Sequence, residues 1–505
     1  TRSSTSRGLG DVYKRQIEKA SNIHIRCFSD PGIEQELSDY FTYSVPGAQF
    51  TPQFRSRLWD GKIRQYDRIR HTLYLGLYKY VERFAVERGY ELEVKDLILV
   101  DRKIPFEEVE NWVESLELAT KGSKLTIREY QTEAIHKALN DQRTLLVSPT
   151  ASGKSLIIYS ILRYLLELDK KAIIIVPTTS LVEQLYKDFE DYSTINGWEV
   201  NKNVQKLYSG FTKDISHQVL ITTWQSVYKQ PRQWFSQFDV CFGDEAHQFK
   251  AKSLTSCMDK LYNCDYRIGT TGTIDGKKVH KLVLEGVFGP VFSVTTTKQL
   301  MEDKKVAELD ITCLLLKYDD ADRMGRKGNK YSDEMDFLVT NDARNKFIVN
   351  LAKSLKGNTL VLYQFVQKHG IPLYEDLNKK VEGQKDVWFV SGDTVVKDRE
   401  KVREIAGDND NNIIVASFGT FSTGINIPSI ENIIFASPSK SKIRNLQSIG
   451  RGLRLKDGKE SCSLYDIADD LPWKTWKNPK IKHFSERLSI YSEEKFNYKI
   501  VEVNI

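Results

Sequence analysis

The chain has 505 residues, 40% of them hydrophobic and 28% charged. At roughly 150 residues per domain this suggests about three domains with buried cores, and the balance excludes collagen-like, disordered and disulfide-scaffold classes. Lys and Arg number 74 against 68 Asp and Glu, a net charge of +6. So mild an excess permits a polyanionic partner without demonstrating one, because what matters is where the charge sits.

Apolar runs such as Ala172–Val176 are far too short to span a bilayer. The six cysteines contain no C-x-x-C pair, a pattern of reduced, buried thiols in a cytosolic protein. Residues 1–16 lack an initiating Met and have no apolar stretch, so they form no secretory signal. The run TRSSTSRGLGDVYKRQ reads as translated adapter sequence and is expected to be a non-native tail outside the fold.

Residues 17–118 carry mixed signals. His24–Phe28 alternates like a strand, Pro31–Tyr40 has a helical pattern, 72–90 pass from strand into a helix that stops near Gly89, and 91–100 alternate again. They predict a small α+β unit, closed by the turn residues Lys121-Gly122-Ser123-Lys124. From about residue 125 short, near-continuous apolar strands alternate with helical patterns: LLVSP, AIIIVP, VLITT, FDVCFGDE and RIGTTGT. The series weakens over 295–308 and resumes with TLVLYQF, VWFVSGD, NIIVAS, NIIFASP and SLYDIAD. Such strands imply parallel sheets covered on both faces, in two consecutive α/β domains. Residues 324–336 are polar and Gly-containing and predict an exposed loop. The expected borders are a tail at 1–16, an α+β unit at 17–118, and α/β domains at 119–304 and 305–505.

Two motifs carry chemistry on their own residues. The strand ending at Val147 runs into Ser148-Pro149-Thr150-Ala151-Ser152-Gly153-Lys154-Ser155 and then a helix. This is a phosphate-binding loop whose backbone N–H groups and helix amino end hold polyphosphate. Lys154 would reach the β- and γ-phosphates and Ser155 would ligate Mg²⁺; the usual first Gly is Ser148. About 90 residues later an apolar strand ends at Gly243-Asp244-Glu245-Ala246-His247. Asp244 is placed for the Mg²⁺ shell, and Glu245 to orient or deprotonate the attacking water.

Gly-Lys-Ser followed by Asp-Glu-Ala-His resembles the superfamily 2 helicases and translocases, and further motifs match in that family's order. Arg128, Tyr130 and Gln131 stand where the family's adenine-reading Gln lies, so Arg128, Gln131 and Thr150 through Ser155 are implied ATP contacts. Pro177-Thr178-Thr179 and Thr222-Thr223-Trp224-Gln225 resemble motifs that grip nucleic-acid phosphates. Thr271-Gly272-Thr273 resembles the motif that couples hydrolysis to domain movement, a role the resemblance extends to His247 and Gln447. Ser391-Gly392-Asp393 and Thr423-Gly424-Ile425-Asn426 continue the match; the family more often has Asp at position 426, so Asn426 keeps hydrogen-bonding capacity without the charge. Thr423, Ser391 and Gly392 are implied strand contacts, and Gly424 and Asn426 implied nucleotide contacts. Gln447 through Arg454 match Q-x-x-G-R-x-x-R, which implies that Arg451 and Arg454 are arginine fingers; on a helix the i, i+3 spacing would put both on one face.

The match spans about 125–470. More narrowly the chain resembles the bacteriophage UvsW helicase family, through SPTASGKSLI, IIIVPTTSLVEQ, ASFGTFSTGIN, EEKFNY and the amino-terminal WDGKIR. The resemblance implies two RecA-like domains preceded by a small α+β DNA-recognition domain. It also implies an ATP-dependent, DNA-stimulated helicase that uses ATP and Mg²⁺ on branched DNA: fork regression, four-way-junction migration and R-loop dissociation, in recombination, repair and replication. The expected partners are duplex, forked and four-way DNA and RNA–DNA hybrid, with no membrane. A monomer in the host cytoplasm is expected, with a single-strand-binding protein as partner.

DNA contact is read locally as well. Residues 55–70 (RSRLWDGKIRQYDRIR) place Arg55, Arg57, Lys62 and Arg64 around Trp59, with Tyr66 interleaved. Basic groups grip phosphates, and a ring can stack on a base; alternatively Trp59 is core and Asp60-Gly61 a hairpin turn. A second basic run, 473–484 (WKTWKNPKIKHF), has no acidic residue. Remaining rivals are an RNA helicase of the DEAH kind, a translocase subunit of a restriction system and a DNA clamp that binds ATP without turnover.

Overall fold

The computed structural model describes residues 15–505 except 96–102, 210–213, 250–251, 275–277, 327, 329, 393–410, 425–426, 428, 440, 456–458 and 476. The chain divides into two compact bodies: Thr1–Val147 with Ser155–Val294, and Thr295–Ile505, with which the loop Ser148–Lys154 groups.

In the first body a small four-stranded sheet comes first. Strands β1 (Arg15–Lys19) and β2 (His24–Phe28) form an antiparallel pair. β3 (Thr42–Ser44) and β4 (Lys62–Arg64) make a separate ribbon. β5 (Thr72–Tyr74) and β6 (Leu92–Lys95) complete the order β5-β2-β1-β6. Gln16 pairs with Phe28 and Arg15 with Leu92, so the expected tail ends too late: Arg15 and Gln16 are strand residues. The remainder of that tail lies outside the described residues. Helices Pro31–Tyr40 and Tyr78–Glu87 cover one face, and Ile17, Ile25, Leu37, Phe41, Leu73 and Phe84 are buried between.

Helix Phe106–Ser115, expected within the α+β unit, instead buries Val109 and Val113 with Ala134 and Ile135 of the next core. β7 (Ala119–Thr120) and β8 (Ser123–Lys124) close a two-residue hairpin. Its turn residues Lys121 (φ 51°) and Gly122 (φ 73°) are both left-handed, as such a turn demands.

Seven parallel strands follow: β9 (Arg143–Val147), β10 (Ala172–Val176), β11 (Val204–Leu207), β12 (Val219–Thr223), β13 (Val240–Asp244), β14 (Tyr266–Thr271) and β15 (Val291–Ser293). Their order is β11-β12-β10-β13-β14-β9-β15. Apolar residues pointing both ways along β10, β12 and β13 feed two cores, one on each face. Gly243 and Gly269, paired across β13 and β14, leave room for the Phe288 ring; a Cβ on Gly243 would lie 2.5 Å from it.

The small sheet docks on the seven-stranded unit through specific contacts. Tyr74 donates to Asp259 (3.0 Å), Tyr80 to Glu285 (2.6 Å) and Asn22 to Asp265 (2.9 Å). Gly76 lies so close to the Glu285 carbonyl that no side chain fits.

The second body repeats the architecture. β16 (Glu308–Lys317), β17 (Asn358–Tyr363), β18 (Val387–Val390), β19 (Ile413–Ser417), β20 (Ile430–Phe435), β21 (Ser461–Asp470) and β22 (Tyr498–Asn504) form a parallel sheet ordered β18-β19-β17-β20-β21-β16-β22. The α/β expectation, with an α+β unit ahead of two parallel-sheet domains, is met. The loop expected at 324–336 is not. Asp320–Gly325 and Tyr331–Thr340 are helices, and Glu334 is fully buried. Its carboxylate accepts from Asn478 Nδ2 (2.6 Å) and Lys480 N (3.2 Å), partners about 145 positions away, while burial raises its pKa.

Candidate functional site

In a parallel sheet, ligands gather beyond the carboxyl ends of the strands. β9, β14 and β13 are neighbours, with Thr271 beside Val147 and Asp244 beside Thr270. The phosphate-loop motif, the Asp-Glu-Ala-His motif and the Thr-Gly-Thr motif therefore leave the sheet from adjacent strand ends.

Ser148 and Ser152 are buried, and their hydroxyls bond each other. Ala151 (φ 68°) and Gly153 (φ 85°) are left-handed, the backbone type from which anion-binding nests are built. A left-handed Ala is strained, and such strain collects at ligand clamps. Helix Lys154–Glu167 begins at Lys154; the Ser155 hydroxyl is 2.8 Å from that of Tyr192, a neighbour the motif did not announce.

Asp244, nearly buried, accepts from the Thr270 hydroxyl at 2.8 Å. Glu245 is left-handed at φ 50°, which turns the chain sharply off β13. His247 Nδ1 lies 3.0 Å from Thr271 Oγ1 and 3.3 Å from Glu245 Oε2. Thr271 also donates its hydroxyl to the Thr273 carbonyl (3.1 Å). One chain of contacts thus joins Glu245, His247, Thr271 and Thr273. Thr270 is the residue sequence reasoning missed here; only its register opposite Asp244 reveals it.

Gln131 is buried near the start of helix Glu129–Asp141, where its Oε1 accepts from Arg128 N (2.9 Å). Arg128 donates to Tyr130 OH (2.7 Å). Thr178 caps helix Thr179–Tyr192 through Leu181 N (3.3 Å). Gln225 Nε2 reaches the Pro177 carbonyl (3.4 Å), bringing the Pro177-Thr178-Thr179 and Thr222-Thr223-Trp224-Gln225 motifs together across β10 and β12, and Thr223 bonds Ser226 (2.8 Å).

In the second body Ser391 is buried just past β18, followed by Gly392. Thr423 and Gly424 end helix Phe418–Gly424; Asn426 lies outside the described residues. Helix Lys442–Gly452 carries Gln447 and Arg451, whose guanidinium sits 5.6 Å from the Phe421 ring centre. Arg454 is not on that helix. The chain leaves it at Gly452, and the buried Lys459 ammonium bonds the carbonyls of both Gly452 and Arg454 (3.0 Å to the latter). Arg451 and Arg454 therefore do not share one helix face, because the helix ends at Gly452, two residues short of Arg454.

In the small unit Arg55, Arg57, Lys62 and Arg64 are exposed and Trp59 is half-buried, its indole N–H donating to Lys62 O (2.8 Å). Arg64 pairs with Asp60. Tyr66 is buried and donates to Glu34 (3.0 Å), so it is no stacking platform. The run 473–484 is likewise broken. Lys480 is buried over the Tyr331 ring and Phe484 is core, while Lys474, Lys477 and Lys482 stay exposed. All six cysteines are buried; burial pushes Cys27 and Cys241 up to about 12. No helix among the described residues is long and apolar enough to cross a membrane.

Three family models match: "DNA helicase UvsW, N-terminal" over residues 13–95, "Type III restriction enzyme, res subunit" over 124–276, and "Helicase conserved C-terminal domain" over 342–456. The chain is 33% identical over 500 residues to the ATP-dependent DNA helicase uvsW of Enterobacteria phage T4, covering 95% of this chain and 98% of that protein. It is 23% identical over 452 residues to the DNA 3'-5' translocase XPB2 of Sulfurisphaera tokodaii, covering 83% and 93%. The crystal structure of T4 UvsW aligns over 97% of this chain and 99% of that one, at 30% identity and a TM-score of 0.51. With its amino-terminal unit, both motor sheets and nearly the full length of that relative matched, the chain belongs to the UvsW family of ATP-dependent DNA helicases.

Proposed function

We propose that the chain is a DNA-stimulated ATPase that remodels branched DNA: forks, four-way junctions and R-loops. The observation that carries the chemistry is the contact chain from Glu245 through His247 to Thr271 and Thr273, with Asp244 held by Thr270 on the neighbouring strand. Lys154 would hold the β- and γ-phosphates, and Glu245 would direct water onto the γ-phosphate. The Ser155 hydroxyl and Asp244 carboxylate are hard oxygen donors that suit Mg²⁺, which would neutralise charge on the phosphates. Arg128 and Gln131, with the loop 150–155, would frame the adenine and phosphates; Gly424 and Asn426 would complete the nucleotide contacts. Arg451 and Arg454 would stabilise the charge that develops on hydrolysis.

Through the shared Thr271, His247 would pass the state of the γ-phosphate to Thr273 and, in the second motor domain, to Gln447. Pro177, Thr178, Thr179, Thr223, Gln225, Ser391, Gly392 and Thr423 would grip one strand. Arg55, Arg57, Trp59, Lys62 and Arg64 would hold the branched or duplex part. Such an enzyme would work as a monomer in the host cytoplasm beside a single-strand-binding protein.

A restriction-type translocase subunit is the second reading, favoured by the match over 124–276; the amino-terminal match favours the first. Stimulation of ATP hydrolysis by DNA and by RNA separates the proposal from an RNA helicase. DNA is expected to stimulate at least tenfold more than RNA of the same length, and equal stimulation would overturn the assignment.

A further inference from the structure

An α-helix leaves its last carbonyls without partners inside the helix. Helix Lys442–Gly452 ends with Leu453 N donating to Ile449 O (3.1 Å), and the three carbonyls that follow are all taken by donors from outside it. Gly452 O and Arg454 O both accept from the Lys459 ammonium, at 3.0 Å for Arg454. Leu453 O accepts from Ala307 N (2.8 Å), just ahead of β16. Glu308 N then donates to Glu460 O (2.9 Å), so the same stretch holds the returning chain. Gly452 lies flat on the sheet: a Cβ there would meet Ile433 of β20 at 2.5 Å and Cys462 Sγ of β21 at 2.9 Å. The backbone from Gly452 to Arg454 is fixed at every carbonyl.

The group that does most of the fixing is a costly one. Lys459 is only 8% exposed, and burial lowers its pKa. Lysine is almost never this buried without a partner. Helices are commonly closed by a left-handed residue just past the end. Leu453 stays right-handed at φ −81°, and the lysine does the closing instead. A cation suits the negative end of a helix, and its charge-assisted bonds are roughly twice as strong as neutral ones. The outcome is a stiff segment where helix ends ordinarily fray.

Stiffness at this point matters for Arg454. Arg451 is still on the helix, so the helix itself places it. Arg454 lies beyond the end and needs another device. A group that stabilises charge developing in a transition state works best when it is already in place, because no reorganisation is then needed at the moment of reaction.

We propose that Lys459 is a positioning residue for ATP hydrolysis: its ammonium holds the backbone of Arg454 so that this arginine is preset for the charge that develops on the γ-phosphate. This rests on the reading of Arg454 as an arginine finger.

The test uses the full chain with Mg²⁺ and single-stranded DNA. It measures affinity for AMP-PNP, a ground-state analogue, and for ADP with aluminium fluoride, a transition-state analogue, beside steady-state hydrolysis. Lys459→Met keeps the apolar stem and removes the ammonium. It is expected to leave AMP-PNP affinity and KM within about twofold, and to lower kcat and aluminium-fluoride affinity at least tenfold. Arg454→Gln should show the same selective loss. Lys459→Met/Arg454→Gln should lose no more than Arg454→Gln alone, because a single interaction cannot be lost twice. If Lys459→Met binds no AMP-PNP, the same selective loss is read on Lys459→Gln, whose side chain is one bond too short to bridge both carbonyls. Equal losses for the two analogues, or a double variant worse than Arg454→Gln by the full Lys459→Met factor, would overturn the positioning role. An impaired Arg454→Gln beside a Lys459→Met with the parent kcat overturns the clamp alone. An Arg454→Gln variant with the parent kcat overturns the arginine-finger reading and the clamp with it.

Discussion

Lys154→Ala and Glu245→Gln are each expected to stop DNA-stimulated ATP hydrolysis while leaving DNA affinity within about twofold. Lys154 opens the helix that follows β9 and is the cation proposed to meet the β- and γ-phosphates; Ala removes that charge and leaves the helix intact. Glu245 sits beside His247 (3.3 Å). Gln keeps its size and a hydrogen-bonding group but removes the base, for which a loss of about 10²–10⁴-fold is the ordinary scale. Steady-state hydrolysis with saturating single-stranded DNA, measured beside fluorescence anisotropy of the same strand, checks both. Turnover retained in either variant would contradict the site.

Asp469→Asn is expected to cost the second body about 3–5 kcal/mol, the scale for breaking one partner of a buried ion pair. Asp469 and Arg344 are fully buried, joined at 2.8 and 3.2 Å, and Tyr318 donates to the same carboxylate at 2.8 Å. Burial alone would drive the Arg344 guanidinium down in pKa; the Asp469 charge beside it outweighs that and holds it up. Asparagine leaves the guanidinium charged in an apolar surround. Replacing both ends by apolar residues should cost less than the single change, since the desolvation of two charges is then avoided. Denaturant unfolding of the parent and the two variants measures the ordering. An Asp469→Asn variant as stable as the parent would contradict it.

Much of the fold was legible. Near-continuous apolar strands between helices announced parallel sheets, because a strand buried on both faces has no polar alternation to show. Edge strands were harder. β11 and β15 are short, and β22 is largely exposed, so none shows the long buried apolar run of a central strand. The helix at Tyr331–Thr340 was hidden because Glu334 reads as a surface residue, and only Asn478 and Lys480, far along the chain, make its burial tolerable.

The candidate site divides along the same line. Lys154, Asp244 and Glu245 stood out because strand-to-loop motifs are local. Thr270 did not, since its partnership with Asp244 depends on register between β13 and β14. Arg454 was placed on a helix that ends two residues earlier, and no spacing rule contains the Lys459 clamp on its carbonyl. In the amino-terminal unit the basic residues of 55–70 were visible and the exposure of Phe50 and Leu58 was not. Phe50 and Leu58 look like core residues in any sequence, and only their exposure separates them from the buried Tyr66.

The central claim is ATP-driven remodelling of branched DNA, and the most direct measurement is the initial rate of strand separation by one preparation on four substrates of matched length: a fork, a four-way junction, an R-loop and a linear duplex. The account predicts ATP-dependent rates on the three branched substrates at least tenfold above the linear duplex, all lost in Glu245→Gln. Equal rates on all four substrates would contradict it.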